Sequence, residues 1–444
     1  MTAEAIEASP RRGTTGDGDR PLRIALLTYK GNPFCGGQGV YVRHLSRELA
    51  RLGHTVEVIG SQPYPVLDEG EELRGLSLTE IASLDLYRQP DPFRTPAREE
   101  YRDWIDALEV GTMWTGGFPE PLTFSLRARR MLAARRGDFD VIHDNQTLGY
   151  GLLGGPRALG APLVTTIHHP ITVDRQLEID AAADWKRRAS VRRWYAFTRM
   201  QKRVARRLPS VLTVSGTSRQ EIVEHLGVRE DRIRVVHIGA DTELWSPDPS
   251  VAEVPGRIVT TSSADVPLKG LVHLIEALAK LRTERPDAHL VVVGKRAEDG
   301  PVAQAIERYG LDGAVRFVKG ISDAELVDLY RSAQVACVPS LYEGFSLPAA
   351  EGMATGTPLV ATTGGAIPEV AGPDGETCLA VPTGDAGALA AALGRVLGDP
   401  GLRARLGHAG RERVLANFTW ARAAQGTADL YREALARQGA GARR

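Results

Sequence analysis

Short apolar runs rich in β-branched residues recur along the chain, and helical patterns separate them. The first run, PLRIALLTY at 21–29, is followed by a glycine loop, an amphipathic pattern at 40–53 and a second run at 54–60. This order of strand, loop, helix and strand is a βαβ unit. Further runs continue the pattern at 139–144, 162–168, 210–216 and 233–239. The first half of the chain therefore predicts a doubly wound α/β domain around a parallel sheet.

The same alternation begins again in the second half. Residues 241–256 between the halves are rich in Pro, Asp and Ser, which is typical of a linker. Five more apolar runs follow, at 256–263, 288–294, 314–320, 334–340 and 358–363. We therefore predict an α/β protein with two Rossmann-like domains, at 21–245 and 246–416. Ligands bind at the carboxyl ends of such strands, so two facing domains would enclose a cleft.

Length and composition fit two soluble domains and exclude several classes of protein. The chain has 444 residues, of which 43% are apolar and 25% charged, and its formal net charge of zero argues against a nucleic-acid partner. Residues 1–20 are polar, so we expect a disordered tail and neither signal peptide nor anchor. Cys35, Cys337 and Cys378 lack metal-ligand spacing and suit reduced thiols in the cytoplasm.

The segment LYEGFSLPAAEG, residues 341–352, places Glu343 and Glu351 on either side of a tight turn. It follows the apolar run at 334–340, and Pro348 suits the first turn of a helix because its missing N–H costs nothing there. We expect Glu343 on the loop and Glu351 in the first helical turn. Both carboxylates would then face the cleft.

The chemistry expected at this turn is a phosphate beside a sugar. The free amides at the start of the helix favour an anion, and the carboxylates can accept hydrogen bonds from hydroxyls. Two carboxylates could instead be the acids of a glycosidase, although a glycosidase has little use for an anion-binding helix start. The amides belong to Gly344, Phe345, Ser346 and Leu347.

At this point the chain resembles a known family. The segment PSLYEGFSLPAAEGMATGTPLVATTGGAIPEV is similar to the E-x7-E segment of retaining GT-B glycosyltransferases of the family 4 type. CGGQGVYVRHL, at 35–45, resembles the glycine loop of the mycothiol glycosyltransferase branch, and VTTIHH, LTVSGTS, GADTELW, LVVVG, GISDAELVDLYRSA and NFTW follow in family order. The resemblance implies two Rossmann-like domains facing a central cleft. It also implies that residues 417–444 form a C-terminal helix that packs back on the N-terminal domain.

The resemblance implies three catalytic residues. His168 would touch the donor sugar near its anomeric carbon. Lys269, in PLKG at a strand-to-helix junction, would neutralise the departing diphosphate, where a fixed cation acts most strongly. Glu343 would hold hydroxyls of the donor sugar. Taken singly, His168 also fits core packing, and Lys269 also fits a solvated helix start.

The resemblance also implies a donor-binding set. Glu351 would bind the ribose, and the backbone of Gly36 and Gly37 would approach the pyrophosphate, although a glycine pair also suits an ordinary tight turn. The full set is Gly36, Gly37, Lys269, Gly344, Phe345, Ser346, Leu347 and Glu351.

One feature departs from the family pattern. The family usually carries an Arg five or six residues before the Lys at position 269, and this chain has Ser263 and Ala264 there. Either the leaving group is stabilised with less positive charge, or another cation takes the place of the missing Arg. The candidates for additional phosphate contacts are Ser263, Lys295, Arg296, Thr363 and Gly364.

Two stretches of the first domain are candidates for acceptor binding. Residues 101–124 carry Trp104 and Trp114 and fit either an apolar acceptor pocket or a core insertion. Residues 185–210 contain ten Lys or Arg and no acidic residue. Their helical pattern fits an anionic membrane surface, an anionic soluble acceptor, or an ordinary helix with an apolar core stripe. The candidate residues on this side are Trp104, Trp114, His169, Arg192, Arg193, Trp194 and Lys202.

We therefore predict a retaining glycosyltransferase that moves a hexosyl unit from a nucleotide diphosphate sugar to an unidentified acceptor, with lipid-linked and anionic acceptors among the candidates. The glycine loop favours a UDP-sugar mildly over a GDP-sugar. No cofactor or metal is expected, because no D-x-D triplet ends a strand and amides with Lys269 can hold the diphosphate. We expect a cytoplasmic protein, either free or at the inner face of the membrane. The alternatives are a nucleotide-sugar-binding protein without turnover, and an epimerase or phosphorylase on the same fold.

Overall fold

The computed structural model of the protein describes residues 20–31, 37–88, 90–180, 182, 184–262, 266–296 and 299–442. These residues form two α/β domains, each around one parallel sheet, as the alternating pattern predicts. The predicted tail at 1–20 lies outside the described residues except for Arg20.

The first sheet has seven parallel strands in the order β3-β2-β1-β4-β5-β6-β7. Ile24 of the central strand β1 aligns with Val56 on one side and with Val141 on the other, so all three side chains lie in the core. The strands are β1 (Arg23–Thr28), β2 (Thr55–Gly60), β3 (Leu76–Glu80), β4 (Val141–Asn145), β5 (Leu163–Thr166), β6 (Val211–Thr213) and β7 (Ile233–Val235).

The second sheet has six parallel strands in the order β10-β9-β8-β11-β12-β13. Strand β8 lies beside β11, which brings the loops after these two strands to the same edge. The strands are β8 (Arg257–Thr261), β9 (His289–Val293), β10 (Val315–Val318), β11 (Val335–Val338), β12 (Leu359–Thr362) and β13 (Leu379–Val381).

Helices cover both faces of the first sheet. Several begin with a side-chain cap; the carboxylate of Asp184, for example, accepts a hydrogen bond from the amide of Arg187 at 2.7 Å. The helices are α1 (Gly37–Arg51), α2 (Trp104–Trp114), α3 (Glu120–Ala134), α4 (Gly155–Leu159), α5 (Ile171–Asp180), α6 (Trp185–Trp194), α7 (Thr198–Ala205) and α8 (Gly216–Glu221).

Helices of the second domain follow the same plan. Ser322 begins one of them with a capping box, in which its hydroxyl and the carboxylate of Glu325 each bond the other residue's amide. The helices are α9 (Leu271–Arg282), α10 (Pro301–Arg308), α11 (Asp323–Arg331), α12 (Leu347–Ala354), α13 (Ile367–Ala371), α14 (Ala386–Gly398), α15 (Pro400–Asn417) and α16 (Trp420–Ala442).

Helix α16 returns to the first domain, as the resemblance implies. The Tyr431 hydroxyl lies 2.6 Å from Nδ1 of His143 on β4, and the ring of Trp420 stacks on His44 of α1 at 5.1 Å. These side chains fix the end of the chain to the first domain.

The predicted linker at 241–256 is also packed. Trp245 is only 5% exposed, and its ring lies 5.3 Å from that of Tyr330. This connection therefore contributes to the core between the domains.

Candidate active site

The ammonium of Lys269 and the carboxylate of Glu343 meet at the carboxyl edge of the second sheet. Nζ of Lys269 lies 2.7 Å from Oε1 of Glu343, and the Ser340 hydroxyl donates to the same oxygen at 2.7 Å. Within the described residues, Oε2 of Glu343 has no hydrogen-bond partner and can accept from a ligand hydroxyl. The two predicted catalytic residues of this domain are thus brought together.

Gly270 lets the Lys269 loop approach the Glu343 loop closely. Its φ is +65°, and a Cβ at this position would lie 2.0 Å from the carbonyl oxygen of Pro339. The Leu341 amide also donates to the carbonyl of Leu268 at 2.7 Å. A side chain at position 270 would therefore separate the pair.

The turn before α12 presents unused amides, as predicted. Among the described residues, the amides of Gly344, Phe345, Ser346 and Leu347 have no hydrogen-bond partner. Ser346 has φ +93° and is 3% exposed, and its buried Oγ is unpaired. Buried polar groups without partners and backbone strain of this kind concentrate at ligand sites. The arrangement can hold an anion.

Glu351 is the fifth residue of α12, one position further into the helix than expected, because the helix begins at Leu347 and not at Pro348. Its carboxylate makes no hydrogen bond to a described residue. Burial, with a smaller contribution from Asp323, raises the pKa of this carboxyl to about 7. The group is therefore poised near neutral pH to accept a proton or a hydroxyl hydrogen bond.

The turn at Thr363 and Gly364 supports the Glu343 loop. A Cβ on Gly364 would lie 2.5 Å from the carbonyl oxygen of Leu341, and the Ala366 amide donates to the Glu343 carbonyl at 2.9 Å. The Thr363 amide is already used by the carbonyl of Val381 at 3.0 Å. A phosphate contact from this turn stays a prediction, and it would not come from the Thr363 amide.

The remaining candidates for phosphate contacts lie on other loops or outside the described residues. Arg296 lies over the Phe317 ring and 3.5 Å from Asp312, and Lys295 is exposed. Gly36 and Ser263 fall outside the described residues, whereas Gly37 is the first residue of α1 and is exposed. The hypothesis that another cation substitutes for the missing family Arg stays a prediction.

His168 follows β5 at the facing edge of the first sheet. Its Nε2 lies 2.8 Å from Oδ1 of Asn145, its amide donates to Oε1 of Gln146 at 2.6 Å, and Tyr41 packs edge-on at 4.7 Å. Burial, with a smaller effect of His169 nearby, lowers the pKa of His168 to about 3. The imidazole is therefore neutral and held in one orientation.

His169 differs from its neighbour in electrostatic environment. Its Nε2 lies 2.9 Å from Oδ2 of Asp174. Burial opposes the charged form, but the bond to Asp174 raises the pKa of His169 overall.

The two domains touch at the candidate site. The Ser215 hydroxyl donates to the Gly344 carbonyl at 2.6 Å, and a Cβ on Gly344 would lie 3.5 Å from the carbonyl oxygen of His168. Glu369 accepts from the amides of Gly216 and Thr217, each at 2.8 Å. The backbone next to Glu343 therefore lies against the backbone of His168, across the boundary between the domains.

The acceptor candidates separate into two groups. Trp104 and Trp114 are 60% and 66% exposed, whereas Trp194 is half-buried in an aromatic cluster. In the stretch 185–210 the apolar stripe, with Val204 and Leu208, packs into the core of the first domain, which favours the interpretation as an ordinary core stripe. Arg192 and Arg193 are exposed, Lys202 is half-buried, and Arg193 also bonds the Thr115 hydroxyl.

Sequence reasoning missed several residues of the site. Asn145, Gln146 and Tyr41 orient His168, and Glu369 joins the domains. A signal for two of them was present, because the polar pair Asn-Gln follows the apolar run at 139–144. Nothing in the sequence marked Tyr41, which looks like any apolar residue of α1.

The described ranges hold no cluster of three or more His, Cys, Asp or Glu side chains able to bind a metal ion. In the same ranges, every helix is too short or too polar to span a bilayer.

Two family models together match most of the chain. Residues 35–244 match the family described as Glycosyltransferase Family 4, and residues 248–413 match Glycosyl transferases group 1. The chain is 54% identical over 416 residues to the MMP alpha-(1->4)-mannosyltransferase of Mycolicibacterium hassiacum, covering 94% of this chain and 99% of that protein.

A second relative is the D-inositol 3-phosphate glycosyltransferase of Kribbella flavida, which is 30% identical over 448 residues, covering 94% of this chain and 97% of the relative. Among solved structures, the sucrose-phosphate synthase of Thermosynechococcus elongatus superimposes with a TM-score of 0.70 at 26% identity, covering 94% of this chain and 99% of that one.

Proposed function

The chain belongs to the GT-B glycosyltransferases of the family 4 type, and from this premise we propose that it transfers a mannosyl unit from a nucleotide diphosphate α-mannose to a saccharide hydroxyl. The linkage formed is α-(1→4), so the anomeric configuration of the donor is retained. The observation that carries the sugar and the linkage is the 54% identity to a mannosyltransferase of that specificity over nearly the whole of both chains.

The second domain supplies the donor site. The unpaired amides before α12 face the diphosphate, and Lys269 balances the negative charge that grows on it. The free Oε2 of Glu343 accepts from hydroxyls of the donor sugar, and Glu351 accepts from the ribose. No metal is needed for these contacts.

The reaction exchanges one bond to the anomeric carbon for another. The bond from that carbon to the diphosphate oxygen breaks, and the acceptor oxygen bonds to the carbon on the same face. The proton of the acceptor hydroxyl passes to the leaving phosphate oxygen. His168 is neutral and oriented by Asn145, so it can hydrogen bond to the sugar without adding a charge beside the anomeric carbon. Contact between the domains excludes water, which suppresses hydrolysis.

A donor screen tests this proposal. Purified protein receives the mannose and glucose derivatives of GDP, UDP and ADP one at a time, with an α-mannoside acceptor, and nucleoside diphosphate release is followed. One mannosyl donor should turn over, and the screen also tests the mild preference for uridine. If a nucleotide sugar binds but no donor is consumed with any mannoside, the chain is a binding protein and the proposal is wrong.

A further inference from the structure

A groove on the first domain is lined in part by residues of helices α5 and α6 and has no role in the chemistry described above. It has a volume of about 320 Å³, which is in the range of small-molecule sites. Its lining combines aromatic and aliphatic side chains with charged and hydroxyl groups: Phe93, Gly116, Glu178, Arg187, Ser190, Val191 and Trp194.

The aromatic side of the groove is a rigid platform. Trp194 lies 5.2 Å from Phe118, which is buried, and 6.1 Å from Phe93, which is 59% exposed. Tyr87 packs edge-on against both Phe93 and Trp194, at 5.3 Å and 5.6 Å. The rings are thus held in place by the core below them while one side remains open to a ligand.

The polar groups of the groove suit hydroxyls better than a lipid chain. Glu178 can accept hydrogen bonds, and Arg187 and Ser190 can donate them, around the edge of the aromatic surface. A sugar ring presents C–H groups on its faces and hydroxyls at its rim, so it matches this distribution. A lipid chain would offer no hydrogen bond to Arg187, to Ser190 or to the carboxylate oxygen of Glu178 that Tyr195 does not occupy.

Helix α5 connects the groove to the cleft. Asp174 near its start binds His169 beside the reaction centre, and Glu178 lines the groove one helical turn further on, roughly 6 Å along the axis. The Tyr195 hydroxyl donates to Glu178 at 2.6 Å, which joins α5 to the segment after α6. A saccharide that reacts next to His168 can therefore extend along α5 into the groove.

A second path leads from the cleft to the same rings. Lys30 follows β1 at the carboxyl edge of the sheet, with its ammonium 4.8 Å from the centre of the Phe118 ring and 3.5 Å from the carboxylate of Glu120. Phe118 in turn supports Trp194. Phe118 thus connects the loop after β1 to the aromatic platform beneath the groove.

We propose that this groove is a distal acceptor subsite, which binds the non-reacting sugar units of an α-linked oligosaccharide while its terminal unit occupies the cleft. The proposal rests on the proposed function and adds the acceptor class: a chain of several sugars is preferred to a single one.

The test compares acceptor length in wild type and variants. The kinetics of mannosyl transfer are measured with α-(1→4)-linked mannosides of increasing length, using wild type, Phe93→Ala, Arg187→Ala and the control Trp185→Ala. Trp185 is 73% exposed on the same helix α6 but does not line the groove. In wild type, KM should fall as the acceptor lengthens.

In Phe93→Ala and Arg187→Ala, the decrease of KM with acceptor length should be lost. KM for long acceptors should rise roughly 2- to 10-fold, the loss expected for one aromatic contact, with KM for the shortest acceptor and kcat unchanged. Trp185→Ala should behave as wild type. The proposal is overturned if wild-type KM does not depend on length, or if the groove variants impair short and long acceptors equally.

Two further measurements distinguish the subsite from a failure of mannosyl transfer and from a membrane-binding surface. Calorimetric titration with long mannosides requires no turnover, so binding lost in Phe93→Ala would support the subsite even if mannosyl transfer failed. Binding to vesicles of anionic lipid, weakened equally by Phe93→Ala and Trp185→Ala with no effect of acceptor length, would identify a membrane surface instead and overturn the proposal.

Discussion

The ammonium of Lys269 lies 2.7 Å from the carboxylate of Glu343, although 74 residues separate them in the chain. They meet because β8 and β11 are neighbours in the sheet, so the loops that follow these strands share an edge. The pair is neutral without a donor. In the proposed reaction, the diphosphate attracts Lys269, and this releases the carboxylate of Glu343 for the sugar hydroxyls.

Glu343→Gln tests the carboxylate. The amide keeps the shape but removes the charge that the sugar hydroxyls and Lys269 require. Transfer should fall roughly 10- to 100-fold, as expected for a charged hydrogen bond of about 1.5–3 kcal/mol. Steady-state rates at saturating donor measure this. Glu376→Gln, an exposed carboxylate of the same domain, should keep wild-type activity; equal losses in both variants would contradict the assignment.

Lys269→Met tests the cation. Its removal should lower kcat/KM by roughly 100- to 1000-fold, or about 2.7–4 kcal/mol, by analogy with loss of one oxyanion donor. Affinity for the nucleoside diphosphate should also fall, whereas affinity for the nucleoside should not. Lys280→Met is the matched control, because Lys280 is also ion-paired, to Glu276 at 3.0 Å, on the next helix. If Lys269→Met lost affinity for the nucleoside as much as for the nucleoside diphosphate, the substitution would have damaged the site generally and not removed a phosphate contact.

Gly270→Ala tests the close approach of the loops. Gly310 has nearly the same φ, +64° against +65°, but a Cβ there meets nothing within 4 Å. Gly310→Ala should cost about 1–2 kcal/mol of stability, from the left-handed backbone alone. Gly270→Ala adds the clash with Pro339 and should cost roughly 1–3 kcal/mol more. Denaturant unfolding measures both; equal losses would mean that the contact is easily relieved.

Glu351 predicts a pH dependence of donor binding. Its pKa is about 7 in the free protein, and a ribose hydroxyl favours the ionised form. Donor binding should therefore release a proton near neutral pH, and affinity should fall up to about tenfold per pH unit below 7. Calorimetry of a nucleotide sugar in buffers of different ionisation enthalpy measures the proton. Glu351→Gln should abolish this release, and persistence of the release would assign it to another group.

The raised pKa of Glu351 also predicts how the free energy of unfolding changes with pH. Because its pKa is raised from 4.5 to about 7 on folding, the unfolded chain binds fewer protons in that window. Its contribution to the free energy of unfolding therefore falls as pH rises from 4.5 to 7. Unfolding of wild type and Glu351→Gln across this range isolates the slope, which should be absent from the variant.

The framework of the fold could be predicted because buried parallel strands appear as continuous apolar runs. Strands β3 and β13 were not predicted, because they lack such a run. Strand β3, LSLTE, is a half-exposed edge strand, and β13 has only three residues. Neither carries an apolar run long enough to distinguish it from a loop.

Part of the candidate site could be predicted where the sequence places polar residues in the loops that follow such strands. His168, Lys269 and Glu343 each follow one and are found at the cleft. The contact of Glu369 with Thr217, 152 residues away, was not predictable, because it depends on how the domains meet. The groove was also missed: Trp194 was recognised, but Phe93 and Glu178 come from separate segments that only the fold brings together.

The most direct test of the central claim is the structure of the reaction product. The protein is incubated with nucleotide diphosphate α-mannose and an α-mannoside, and the anomeric proton and linkage position of the new unit are determined by NMR spectroscopy. We predict an α-(1→4)-linked mannose formed in equimolar amount with the nucleoside diphosphate, and roughly 10- to 100-fold less of it with Glu343→Gln in the same time. A β-linked product, or free mannose without any transfer product, would contradict the account.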